Sequence, residues 1–483
     1  MRKEMKTFLN FAVTFMLGVS LLMTGCAKKE TKVEQLKGNE VTKKEQPTKI
    51  ETITITVDSK GSPADSTRGT NIVEAAKELN KILEERKDNR RVEVVHNHVS
   101  TGGDDDFNKK FFLACQSGTG ADIISNGHNN VALYVKGEYV LQLDELIAKS
   151  QFKNDLDKIY PNLWDAAKFN GKTYAIPQDA EIRPLYFRKD VLKKMGWSDE
   201  QINVLPEKIK NGEFTLQDMI ALGKEAKDKG FVKWGAYHRP SNGPFFTMIV
   251  KNFGGKVFNA ENGKIVLDKK PVTEALKFFK DLTQDSKITP EGMTATEWRA
   301  LHKAWVEGEV LFWFGGTWHW AEYQKVAYHS QLGNLSEKYM FDNMGYALTP
   351  AATKGGKPIT LTQPYVYMIN RKTKHPDLAF DLVAIASKPE YNVTHAIESG
   401  HLVISSVAAE QPKYKENKFF NSVTYMLDYT ITQPNTPLWA QYTGTLYKAV
   451  QAVELGKYSP KEAVEWMVGQ LKNDVGDMLE VIE

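Results

Sequence analysis

The chain has 483 residues, 41% hydrophobic and 25% charged, an ordinary globular composition long enough for two domains or more. Its formal charge is +3, and taking away Met1 to Gly25, with Arg2, Lys3, Lys6 and Glu4, leaves +1; no basic stripe is present, which argues against a nucleic-acid-binding face. The only two cysteines, Cys26 and Cys115, give no paired disulfide framework.

Residues 1–26 read as a targeting segment. Arg2, Lys3 and Lys6 form a positive start, and Phe8 to Leu22 is an apolar run too short and too interrupted to span a bilayer. Ala27 to Lys49 is rich in Lys, Glu, Thr and Gln and poor in apolar residues, so residues 26–50 read as a disordered tether with a mean reach of roughly 25–30 Å.

The folded body begins at Glu51. Ile53, Ile55 and Val57 alternate with threonines, which predicts a strand. Asn71 and Glu74 have capping-box spacing ahead of an amphipathic helix carrying Ile72, Ala76, Leu79 and Leu83. Val92 to Val95 reads as a second strand. Asp104 to Asp106 open another helix, where acids suit the positive end of the dipole; no calcium-ligand spacing follows them. Cys115 lies in this helix as a small core residue. The helix ends in Ser117-Gly118, and Asp122-Ile123-Ile124 begins a strand. The loop Asn126 to Asn130 then falls at the carboxyl end of that strand, where open α/β sheets place ligands.

The stretch from Trp164 to Met195 reads as a joint. Asn170-Gly171 is a tight-turn dipeptide. Lys172 to Ile176 reads as a short strand ended by Pro177, and Leu185 to Phe187 as a second strand, with a helix from Lys189. Between them Gln178 to Pro184 is polar and carries Asp179, Glu181 and Arg183. Further on, Thr215 with Asp218 caps a helix and Lys233 to Tyr237 reads as a strand. The loop His238 to Phe245, with Arg239 and Asn242, is polar and turn-rich, and Gly254-Gly255 closes a helix. Val310 to Phe314 is a strand followed by Gly315-Gly316, which permit a sharp turn or close approach. Trp318 comes next, either a core residue or a flat surface for the apolar C–H face of a sugar. Leu361 to Asn370 reads as a strand and Pro376 to Ser387 as a helix. Trp439 and Tyr442 lie on one face of a helix begun near Thr436. Ser459 to Glu462 is a capping box with proline at the first helical position.

Three signatures together carry a resemblance. They are Asn170-Gly171-Lys172 with Tyr174-Ala175-Ile176-Pro177 and Arg188-Lys189-Asp190; the helix and turn leading into Asp122-Ile123-Ile124; and Trp305 to Trp320, WVEGEVLFWFGGTWHW. The chain from Glu51 to Glu483 resembles the extracellular solute-binding proteins of ABC importers, in particular the large sugar-binding family that includes the maltose-binding proteins. The resemblance implies an α/β, two-lobed periplasmic-binding-protein-like fold of type II, with mixed sheets flanked by helices and a ligand cleft between the lobes. Residues 51–178 and 350–398 would form the first lobe and 179–349 and 399–483 the second. The crossings would lie at Gln178 to Pro184, Met344 to Ala351 and Glu398 to Ser405.

By the same resemblance the ligand-binding residues are expected to be Asn126, His128 and Asn129 from the first lobe, Glu181 and Arg183 at the first crossing, and Arg239, Asn242, Trp318, His319, Trp439 and Tyr442 from the second. Leu22-Met23-Thr24-Gly25-Cys26 resembles a bacterial lipobox, which implies a signal peptide over residues 1–25 and lipid on Cys26. The protein would then be a membrane-anchored monomer on the extracellular side, or the periplasmic side where there is an outer membrane. It would capture a carbohydrate, an oligosaccharide, by lobe closure, deliver it to its partner, an ABC permease, and use no cofactor and no metal. No nucleophile elbow, metalloprotease helix, phosphate loop or dinucleotide fingerprint is present. One rival is a secreted glycoside hydrolase using carboxylates such as Asp179 and Glu181. Another is a carrier for a peptide or an anion, favoured by Arg183, Arg239 and the histidines.

Overall fold

In the computed structural model the described residues are 49–100 and 103–483; the expected signal peptide, Cys26 and nearly all of the tether lie outside them. Ile53, Ile55 and Val57 point inward from the strand Glu51–Lys60 and are almost fully buried, as their alternation demands. That strand pairs in parallel with Arg90–Val99 on one side and Ile123–Gly127 on the other. Tyr365–Ile369 then joins antiparallel to Ile123–Gly127, and Ile176–Pro177 closes the edge of this five-stranded first sheet. The helices Thr67–Glu85, Pro376–Ala386 and Pro389–Ser399 pack against one another beside it.

The second lobe is built on a four-stranded sheet in the order Met344–Ala347, Leu185–Arg188, Val310–Phe314, Trp234–Tyr237. Val310–Phe314 is central and buried along its whole length, which is why it reads as an unbroken apolar run. Trp313 and Trp320 are both core residues, Trp320 stacked on Phe419 at 4.5 Å. No described helix is long and apolar enough to cross a membrane.

The first expected crossing is stitched to the strand Thr360–Thr362 and to the third expected crossing. The Glu181 amide donates to Thr362 Oγ1 at 3.3 Å and the Arg183 amide to Thr360 Oγ1 at 2.9 Å. Ala180 is bridged to Leu402. Beyond Leu402 the chain stays with first-lobe elements for a while, because the Tyr160 amide donates to Ile404 O at 2.9 Å and Ile159 is bridged to Ser405.

Several local expectations shift. The first helix starts at Thr67 after a turn Pro63–Ser66, because Ser62, Pro63 and Asp65 form an earlier capping box; Asn71 is inside the helix and its Nδ2 donates to Tyr391 O at 2.8 Å. Lys172–Thr173 pairs with Lys168–Phe169 around Asn170-Gly171 (φ +50° and +73°), while Ile176–Pro177 belongs to the first sheet. Pro177 therefore sits in a strand rather than ending one, at an edge where its missing N–H costs no ladder bond. Leu361 to Asn370 divides into Thr360–Thr362 and Tyr365–Ile369 at Gln363-Pro364, and the two pieces join different sheets.

Candidate ligand-binding cleft

A cleft of about 770 Å³ is lined by residues of both lobes and of the crossings. Its floor is the segment 179–183. Asp179, Glu181 and Arg183 alternate with Ala180 and Ile182, which are fully buried. In an extended chain alternate side chains share a face, so this short crossing puts its three charged groups on one side.

Asp179 is fully buried, and its Oδ2 receives Arg68 Nη2 at 2.8 Å while its Oδ1 receives the Tyr365 amide at 2.8 Å. Burial alone would raise its pKa, but Arg68, His401 and His395 outweigh that and hold it well below the usual range. Asp65, 3.3 Å from Arg68 Nη2, is lowered in the same contest. The glycosidase reading thus loses one of its two carboxylates, which is locked beneath the cleft by an arginine. Glu181 behaves oppositely: burial pushes it up to about 7 although Arg183 Nη2 donates to its Oε1 at 2.5 Å.

The second lobe supplies one wall. The loop after Val310–Phe314 turns into the helix Trp318–Lys325, and the Gly316 amide donates to His319 Nδ1 at 2.9 Å. That bond places the proton of neutral His319 on Nε2. Trp318 is half-buried; His401 stacks on it at 5.7 Å and 14°, and the Arg183 guanidinium lies 5.0 Å from its centroid. Glu322, one turn after His319, accepts Tyr328 Oη–H at 2.7 Å, yet burial still raises it to about 7. His302 is lowered to about 3 by burial, and His319 is held well below the usual range by burial, with His302, Arg183 and Arg239 adding to it. Trp439 also lines the cleft; it is 4% exposed at the start of Trp439–Glu454 and lies flat on Tyr442, centroids 5.2 Å apart.

Of the residues expected from sequence, Asn129, Glu181, Arg183, Arg239, Asn242, Trp318, His319 and Trp439 line the cleft. Three do not. Asn126 is part of the strand Ile123–Gly127 rather than a loop, and its Nδ2 donates to Asn108 Oδ1 at 2.7 Å and Tyr134 Oη at 3.1 Å. His128 is fully buried with Nε2 on Gln433 O at 3.2 Å. Tyr442 is fully buried and supports Trp439 from behind. Asn129, next in line, accepts Gln363 Nε2 at 2.8 Å at the cleft surface.

Residues that the sequence reading did not choose also line it, among them Asp65, Arg68, His302, Glu322, Tyr328, Tyr365 and His401. Part of this was visible as helical spacing. Trp298 and His302 are four apart, and His319 and Glu322 three apart, so each pair shares a helix face.

The sequence matches the family model described as bacterial extracellular solute-binding protein over residues 64–393. A relative from Deinococcus radiodurans, described as a probable ABC transporter-binding protein, is 23% identical over 341 residues, 69% of this chain and 76% of its own. The maltotriose-binding protein of Pyrococcus abyssi is 20% identical over 346 residues, 71% of this chain and 67% of its own. The GacH receptor of Streptomyces glaucescens, solved unliganded and with acarbose, has the same fold, with a TM-score of 0.70 at 19% identity, covering 89% of this chain and 100% of that one.

Proposed function

We propose that this chain, which belongs to the bacterial extracellular solute-binding protein family, captures an oligosaccharide between its lobes and hands it to the permease of an ABC importer. The observation that carries this reading is the composition of the cleft. Three indoles, Trp298, Trp318 and Trp439, share a cavity of about 770 Å³ with carboxylates, guanidiniums and imidazoles. A sugar offers apolar C–H faces for the indoles and a rim of hydroxyls for the polar groups. The maltotriose-binding relative and the acarbose-bound neighbour support a carbohydrate. Contacts from both lobes stabilise the closed form and shift the population toward it, and the closed form is what the permease reads. Lipid on Cys26 holds the protein at the outer face of the membrane, where it acts as a monomer.

The test is a thermal-shift screen of the purified protein against mono- and oligosaccharides, neutral and charged. A ligand bound only by the native state stabilises it by about 2.7 kcal/mol at a hundredfold excess over Kd. A clear shift with the sugar recovered intact supports the reading. Recovery of cleaved sugar moves it to a hydrolase, and no shift with any sugar removes the carbohydrate.

A further inference from the structure

Beside the main cleft lies a recess of about 30 Å³. That is room for roughly two water-sized groups, since one needs about 10–15 Å³. Arg183, Arg239 and His319 line both spaces, so the recess opens from the cleft floor. Its remaining walls are apolar or aromatic, including Trp298 and Phe314, and no acidic side chain lines it.

The polar side chains that reach this recess bring N–H donors. Arg183 spends Nη2 on Glu181, while its Nε is buried and has no acceptor in the protein. Arg239 is held in place by Nε on Ser241 O at 2.7 Å, with its guanidinium 5.8 Å from the Trp298 centroid. His319 accepts the Gly316 amide at Nδ1, so its Nε2 carries the proton. Burial, with His302 and both arginines nearby, keeps that ring neutral. A buried guanidinium N–H without an acceptor is a standing cost that a bound group can remove. A hydroxyl entering here would satisfy a donor but bring a proton of its own into a place lacking a side-chain acceptor. A carboxylate brings acceptors and no proton, and its charge suits the buried Arg183 Nε–H.

Resting on the carbohydrate reading, we infer that this recess receives a carboxylate of the bound sugar, so that the ligand is an acidic oligosaccharide containing a uronic acid unit. Glu181, Glu322 and Asp65 line the cleft but not the recess, so they face the neutral, hydroxyl-bearing remainder of the ligand.

The experiment is calorimetric titration of the whole protein with oligogalacturonides, alginate and hyaluronan oligosaccharides, a sulfated oligosaccharide and neutral malto- and xylo-oligosaccharides. The best binder is then compared with its carboxyl-reduced form. A uronate-bearing sugar is expected to bind, and reduction to the alcohol to weaken it at least tenfold. Arg183→Gln should collapse the ratio of affinities for the acid and its reduced form from at least tenfold to within about threefold, whatever it does to either affinity alone, which separates a lost anion contact from a general loss of binding; an unchanged ratio overturns the inference. Binding of neutral or sulfated sugars alone, or equal affinity for the acid and its reduced form, overturns the inference and leaves the carbohydrate function standing. No binding to any sugar instead removes the function on which it rests.

Discussion

Replacing Asp179 by Asn removes one charge from the joint between the lobes and leaves its shape. Asp179 and Arg68 are 0% and 1% exposed at the side chain and 2.8 Å apart. Breaking a buried ion pair from one side costs about 3–5 kcal/mol, because the remaining charge is stranded away from water. Two features place this case at the low end, about 3 kcal/mol: Asp65 stays 3.3 Å from the same nitrogen, and the asparagine oxygen can still accept the Tyr365 amide. The pH dependence fixes the sign. In the fold, burial disfavours the Asp179 charge but Arg68 and the two histidines overcome it, so its pKa lies below the unfolded value of about 3.9. Its contribution is therefore complete above that value and fades as the pH falls through it toward the folded one. Urea unfolding of both proteins at pH 7, 5 and 3 should give a difference near its full size at the first two and smaller at the third. A difference below 1 kcal/mol at pH 7, or one that grows on acidification, would refute the idea that this pair is a net stabiliser of the joint.

Trp318→Ala should weaken the true ligand by tenfold or more in titration, and a change within threefold would remove its stacking role. Glu322 is raised to about 7 by burial, so the native state holds its proton more tightly than the unfolded chain between roughly pH 4.5 and 7, and stability falls as the pH rises through that window. Glu322→Gln should then gain Tm relative to the parent at pH 8 compared with pH 5, and a pH-independent offset would contradict this. Gly400 has φ +81°, and a Cβ there would lie 2.7 Å from the Trp318 backbone; Gly400→Ala should cost more than about 1 kcal/mol in denaturant unfolding, and a neutral change would mean the contact yields easily.

The strands and helix caps were legible because they rest on local chemistry. Val310 to Phe314 is an apolar run bounded by glycines, and Thr215 with Asp218 and Ser459 with Glu462 form capping boxes where expected. The errors arose where two local signals competed. Asn71 has a capping residue's identity, but Ser62, Pro63 and Asp65 start the helix first. Gln363-Pro364 interrupts what reads as a single strand, since proline cannot continue the ladder. The site was harder to read because its residues meet from distant parts of the chain. Arg68, Asp179, His395 and His401 form one buried network that no spacing reveals. Asn126 and Asn129 illustrate the limit: three residues apart, one is locked inside the sheet by Asn108 and the other faces the cleft.

The stitching of the crossings sets which contacts respond to closure. The Glu181 and Arg183 amides are tied to Thr362 and Thr360 of the strand Thr360–Thr362, and Ala180 is bridged to Leu402 in the third expected crossing, so the cleft floor is fixed on both sides. Trp439 stands instead on a long helix packed among second-lobe helices, and a wall on a lobe moves when the lobe turns. Floor contacts should then be made in open and closed forms alike and set affinity, whereas a wall contact made only on closure shifts the population. Small-angle scattering at saturating ligand should accordingly show full compaction for Arg183→Gln and reduced compaction for Trp439→Ala. The reverse pattern would show that the floor moves with one lobe and that the joint is not where the stitched crossings lie.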